Sequence, residues 1–230
     1  MDQEEVAEAE PDRTPRSRPV VIAASVIAVL LVGAVIGMFL TQRALNSGEQ
    51  ATPGAGSVEV GFAQDMSVHH LQAVTMANWA RDHSTDPQVK QLAFDIQSTQ
   101  LEQVGRMKGW LMLWGQPEQT TGAYMSWMSS GGHDMAGMST SGTSADAPMP
   151  GMATNAELAK LRSLSGQELD VYFLQLMLRH HQGGTGMAQY AHDHTSVDAV
   201  KTLTQSILDS QGAEMVLMKQ MLAARGAQPL

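Results

Sequence analysis

An all-α fold is predicted for this chain: a four-helix bundle made of two copies of one helical hairpin, behind an N-terminal transmembrane helix. Three observations predict it: an internal duplication, apolar residues at helical spacing in both copies, and one uninterrupted apolar run near the N-terminus. Setting residues 62–115 over 173–226 without a gap, an offset of 111, gives 19 identical positions of 54. Among them are Phe62/Phe173, Met66/Met177, Met76/Met187, Ala80/Ala191, His83/His194, Gln100/Gln211, Met107/Met218 and Gly115/Gly226. A repeat that needed only an apolar core could carry any hydrophobe at these places, yet both copies carry paired imidazoles and thioethers.

In chain order, residues 1–19 form a polar cytoplasmic tail, and residues 20–40, VVIAASVIAVLLVGAVIGMFL, hold no charge and are long enough to cross a bilayer as one helix. Arg13, Arg16 and Arg18 precede that run and Arg43 alone follows closely, so the positive-inside bias places the tail in the cytoplasm and the rest outside. A cleaved signal peptide is the competing reading; the apolar run is longer than usual for one, and TQRALNSG offers no clean small-x-small cleavage site. Residues 41–57 form a linker. The bundle occupies 58–226. Its first helix, 58–82, follows from Phe62, Met66, His69, Ala73, Met76 and Ala80 at three- and four-residue spacing. Asp86-Pro87 is a helix start and Gly115 a stop, which gives a second helix over 87–114. Residues 116–153 lose all periodicity and read as a methionine-rich flexible loop. Capping-box patterns at Thr154–Glu157 and Ser165–Glu168 predict a short helix 155–163 and a long one 166–192, and a turn at 194–198 leads to the last helix, 198–225. Two antiparallel hairpins of this length bury their apolar faces most simply against each other.

The net charge of −9 over 230 residues, with no basic patch, argues against nucleic acid as a partner and fits attraction of cations. Cysteine is absent, which excludes disulfides and thiolate ligation. A soft metal would have to be held by methionine sulfur or histidine nitrogen.

Met66 stands three and four residues before His69 and His70, so the three side chains share about one helical turn and one face; Met177, His180 and His181 repeat the arrangement. Met76 and Met187 lie seven residues beyond His69 and His180, about 10.5 Å of rise, and His83 and His194 seven further again, which makes a ladder of positions and not one coordination shell. Counting back from a turn near residue 85 places Met107 level with Met66 and Gln103 level with His69 and His70, so Met107 and its copy Met218 are the second-helix ligand candidates. Thioether and imidazole without carboxylate or thiolate favour Cu(I), accept Ag(I), and admit Cu(II) through the histidines. The Glu-x-x-His motif of di-iron bundles is replaced at both places by Met-x-x-His. Met125, Met128, His133, Met135, Met138, Met149 and Met152 make the loop a secondary capture arm. Taken singly, Met76, Met107, Met187 and Met218 also read as core filler, and His83 and His194 as helix C-terminal caps. Adjacent imidazoles on an inward face, twice, do not read as filler, because a small core would have to satisfy all four rings. Gly183, Gly184 and Gly186 inside a predicted helix point to close helix approach, room for an ion, or a kink.

The stretches FAQDMSVHHLQAVTMA (62–77) and FLQLMLRHHQGGTGMA (173–188) resemble the signature of the ferritin-like family catalogued as domain of unknown function 305: Phe, then Met-x-x-His-His, then Met-Ala. The resemblance covers about 58–226. It implies a ferritin-like bundle in an extracytoplasmic bacterial protein associated with copper, and Met66, His69, His70, Met76, Met177, His180, His181 and Met187 as residues to test. Gly184-Thr185-Gly186 departs from the Gly-Ala-Ile often seen after the second pair, which questions equal affinity of the halves.

Residues and resemblance together lead to the expectation of a membrane-anchored, extracytoplasmic copper-binding protein that buffers, sequesters or transfers the ion, with a copper donor or acceptor protein as partner and no catalytic constellation. A cuprous oxidase at the same histidines and a purely structural or partner-binding bundle are the alternatives.

Overall fold

The computed structural model describes residues 18–46, 52–131 and 147–230. They hold six α-helices and one short 3₁₀ turn, with no strand among them. The chain divides into two compact units, 1–51 and 52–230. The first contains α1 (Arg18–Asn46), of which Pro19–Arg43 is long and apolar enough to cross a membrane, with its side chains exposed.

The second unit is a helical bundle. Helix α2 (Val58–His83) starts at Ser57, whose hydroxyl accepts from the Val60 N–H, and α3 (Pro87–Leu113) starts at Asp86, whose carboxylate accepts from the Gln88 N–H. Each cap satisfies one otherwise unpaired donor of a first turn. Helix α4 (Asn155–Ser163) carries the full capping box between Thr154 and Glu157. Helix α5 (Gly166–His194) does not carry the one expected at Ser165: Gly166 enters the helix at φ +56°, and the Ser165 hydroxyl makes no cap bond. Helix α6 (Asp198–Ala224) and α3 end alike, on Gly226 and Gly115 at φ +66° and +64°. The N–H groups of Ala227 and Gln116 reach back to the carbonyls of Leu222 and Leu111, which closes the last turns in the manner of Schellman caps.

Helix α2 pairs with α3 and α5 with α6, as the duplication requires, and the hairpins approach most closely along α2 and α5. Glu59 at the start of α2 accepts a hydrogen bond from Thr195 at the end of α5 (2.6 Å), and Arg225 after α6 pairs with Asp86 before α3. These contacts tie the ends of each hairpin to the other. The apolar interior falls into two clusters, one containing Met76, Met177, Met218 and Met221, the other Met66, Met107 and Met187. In both, the methionine seven residues beyond the first histidine of one copy joins the Met-x-x-His methionine of the other copy. The ladder of positions expected along a single helix is thus folded back on itself by the antiparallel partner.

The segment 116–153 differs from the flexible arm expected of it. Met125, Met128, Met149 and Met152 are buried in the same cluster as Met66. Trp127 meets Phe62 edge-on and covers Gly61, where a β-carbon would overlap the indole. The buried Asp65 carboxylate accepts from the Met125 N–H (2.7 Å) and from Trp127 Nε1–H (2.9 Å). Residues 149–153 form a strap fixed by Gln72, whose amide exchanges two hydrogen bonds with the Ala153 backbone (2.9 and 2.6 Å). The physical reason for the difference is that these methionines find apolar cover between the hairpins, which no periodicity along the segment announces. His133, Met135 and Met138 lie outside the described residues.

Candidate metal centre

His69 and His180 face one another where α2 and α5 meet, with ring centroids 3.8 Å apart and planes inclined by 39°. His70 and His181 flank them at 6.5 and 6.4 Å from their neighbours. All four side chains are fully buried. Such packing is possible because α5 carries glycine beside the rings: a β-carbon at Gly184 would stand 3.1 Å from His69 Cε1 and 3.1 Å from Gln211 Oε1. Of the three readings open for the α5 glycines, close helix approach fits Gly184, through His69 of α2 and Gln211 of α6, whereas Gly183 meets the strap and not a helix. At Gly183 a β-carbon would overlap the Pro150 carbonyl of the strap.

Three of the four rings share one hydrogen-bonding scheme. His69 Nε2 donates to the Pro150 carbonyl (3.1 Å), His70 Nε2 to Gln103 Oε1 (2.8 Å), and His181 Nε2 to Glu214 Oε2 (2.7 Å). A carbonyl or carboxylate can only accept, so each bond fixes a proton on Nε2; in a neutral ring Nδ1 then keeps its lone pair. None of these Nδ1 atoms has a protein partner, and neither nitrogen of His180 has one. This is the arrangement in which a metal-binding imidazole is oriented through its far nitrogen. The bond from Gln103 agrees with its expected level beside His70.

Burial holds His69, His70 and His180 neutral. It lowers the His69 imidazole from 6.5 to about 4, partly opposed by the Pro150 bond. Burial, then the neighbouring His69, lowers His70 to about 3, and burial with the surrounding rings holds His180 well below its ordinary value. Neutral imidazole is the ligand form.

The buried amides of Gln100 and Gln211, equivalent in the two copies, lack a protein partner at both nitrogen and oxygen. An unpaired buried polar group costs about 1–3 kcal/mol, so a cluster of them is expected only where a ligand or water completes the bonding. Among the described residues, no group of three or more His, Asp or Glu side chains could by itself hold a metal ion. Thioether sulfur is a further donor type close by in the chain. Met66 precedes His70 by one turn and Met107 follows Gln103 by one turn; Met177 and Met218 hold the same places around His181 and Glu214. All four sulfur side chains are fully buried.

Two features depart from the sequence reading. The centre does contain a carboxylate, Glu214, behind His181 and level with it. Adding the repeat offset of 111 to Gln103 identifies it, so the signal was present in the sequence. His83 and His194 do not join the centre. Each is exposed, stacked on the aromatic ring four residues before it, Trp79 (3.6 Å) and Tyr190 (4.0 Å), with Nδ1 at 2.9 and 2.8 Å from that residue's carbonyl. Stacking and capping at a helix end account for both.

The family model described as "Domain of unknown function (DUF305)" matches residues 59–222. The crystal structure of a DUF305 protein from Streptomyces coelicolor is similar at 42% identity and TM-score 0.68, covering 77% of this chain and 99% of that one. A DUF305 fragment from Deinococcus radiodurans is similar at 33% identity and TM-score 0.60, covering 75% and 99%. CopM in its Cu(II)-bound form is similar at 25% identity and TM-score 0.52, covering 71% and 94%. Among curated proteins, none matches this chain.

Proposed function

From the premise that the chain belongs to the DUF305 family, we propose that it is a membrane-anchored, extracytoplasmic copper-binding protein that buffers, sequesters or transfers the ion through its duplicated Met-x-x-His-His motifs. The observation that carries this reading is the contact of His69 with His180 inside the bundle, where each of four buried rings has a nitrogen that no protein group satisfies. Apolar surroundings, neutral nitrogen and thioether sulfur favour Cu(I), accept Ag(I) and admit Cu(II). The copper-bound CopM relative supports the choice of metal.

His69, His70, His180 and His181 supply nitrogen; Met66, Met107, Met177 and Met218 supply sulfur, with Met76 and Met187 completing the two methionine clusters. An apolar helix that follows three arginines supports anchoring with the bundle outside the cytoplasm. A copper donor or acceptor protein is the partner such a carrier requires.

Anaerobic titration of the full chain in detergent with Cu(I), in competition with a chromophoric chelator, tests the reading. Replacing His69, His70, His180 and His181 by Gln lowers affinity at least ~100-fold, since all nitrogen ligands are lost. Circular dichroism checks that the helices persist. An unchanged endpoint would move the ion to the methionine-rich segment, and sustained oxygen uptake with Cu(I) would turn the reading toward a cuprous oxidase.

A further inference from the structure

The two halves of the centre carry the same ligand candidates but not the same surroundings. Gln103 and Glu214 occupy one position of the repeat, and each accepts the Nε2 proton of the second histidine in its copy, at 2.8 and 2.7 Å. An amide oxygen orients the ring and fixes its proton. A carboxylate does both and adds a formal negative charge, which makes the opposite nitrogen a stronger donor and attracts a cation in proportion to its charge.

The sulfur content differs in the opposite sense. The cluster around Met66 and Met107 holds seven methionines: these two with Met125, Met128, Met149, Met152 and Met187. The cluster around Met177 and Met218 holds four buried ones, with Met215 partly buried against it. Thioether favours the softer, monovalent ion; imidazole backed by carboxylate favours the harder, divalent one. Both asymmetries therefore point the same way. We propose that Glu214 is a specificity-determining residue that sorts copper by oxidation state: the half with His181, Met177 and Met218 takes Cu(II), and the half with His70, Met66 and Met107 takes Cu(I). Glu214 acts through His181 and is a positioning residue, not a ligand.

This inference rests on the copper reading above, and its test separates the two. The full chain in detergent is titrated with Cu(II) followed by electron paramagnetic resonance, and with Cu(I) anaerobically against a chelator, for the parent, Glu214→Gln and Gln103→Glu. Glu214→Gln lowers Cu(II) affinity about 10- to 100-fold, the usual effect of removing an outer partner of a ligand, and shifts Cu(I) affinity by less than about 3-fold. Gln103→Glu gives the first half a carboxylate and adds a second Cu(II) signal with nitrogen hyperfine structure. If Glu214→Gln folds poorly by circular dichroism, the gain expected in Gln103→Glu decides alone. Equal loss of both ions in Glu214→Gln, or no new Cu(II) signal in Gln103→Glu, overturns the sorting and leaves copper binding intact. A parent chain that binds neither ion overturns both.

Discussion

The two hairpins began as one sequence, and the positions where they diverged show what the assembled centre needs. Position 72 of the first copy is glutamine, and its amide holds the Ala153 backbone; its equivalent, Gly183, lies directly under the Pro150 carbonyl. One copy fastens the strap and the other makes room for it. A single strap crossing a pseudo-symmetric interface cannot meet the same side chain twice, so the symmetry is broken where it crosses. The same holds one turn earlier, where Val68 of the first copy corresponds to Arg179, whose guanidinium pairs with Glu157 at 2.7 Å and holds α4 to α5. The histidine pairs did not diverge, and they lie where the copies meet.

This comparison can be broken most severely at the shared rings. Because His69 and His180 touch, replacing only His180 and His181 by Gln should weaken copper binding by both halves, Cu(I) at the half with His70 as well as Cu(II) at the half with His181. Calorimetric titration under nitrogen would show it, and loss confined to one half would mean that the halves act independently. The next largest effect is expected at the strap. Gly183→Ala drives a β-carbon against Pro150 backbone and should destabilise the bundle by about 1–3 kcal/mol despite alanine's better helix propensity. Gln72→Ala, which removes the fastener, should cost about 1–2 kcal/mol. Denaturant unfolding measures both, and a stabilised Gly183→Ala variant would show that the strap does not bear on α5.

Acid sharpens the comparison less steeply. The unfolded chain protonates its histidines below about 6.5, whereas folded His69 and His70 resist until about 4 and about 3. The unfolded state therefore binds more protons in that window, and stability of the metal-free protein should fall as pH drops from 6.5 toward 4. Bound copper should raise stability across the window and leave the slope at least as steep, because the metal holds the folded imidazoles deprotonated while the unfolded chain still takes up protons. Melting temperatures across the window, with and without copper, check the sign. The smallest effect is expected at His83→Ala and His194→Ala: unchanged copper affinity and a stability loss of about 0.3–1 kcal/mol from the helix ends, again read by titration and melting.

The parts of this molecule legible in its sequence are those governed by local periodicity and by the repeat. Helix bounds follow from Asp86, Thr154, Gly115 and Gly226, and the level of Gln103 beside His70 follows from counting along antiparallel helices. The parts not legible there are set by packing between distant segments. Nothing local distinguishes a methionine-rich arm in solvent from one folded over an interface, so the burial of Met125, Met128, Met149 and Met152 was not visible. Ser165 and Glu168 match a capping box, but the left-handed backbone at Gly166 overrides it. Glu214 is within reach of the repeat as the equivalent of Gln103, but identity between the copies does not single it out.

The central claim is that copper sits between the hairpins on imidazole nitrogen and thioether sulfur. X-ray absorption at the copper edge, on the full chain loaded anaerobically, tests it most directly. A mixed nitrogen and sulfur shell is expected, losing its nitrogen contribution when His69, His70, His180 and His181 are replaced by Gln. A shell of sulfur alone, unchanged by that replacement, would contradict it.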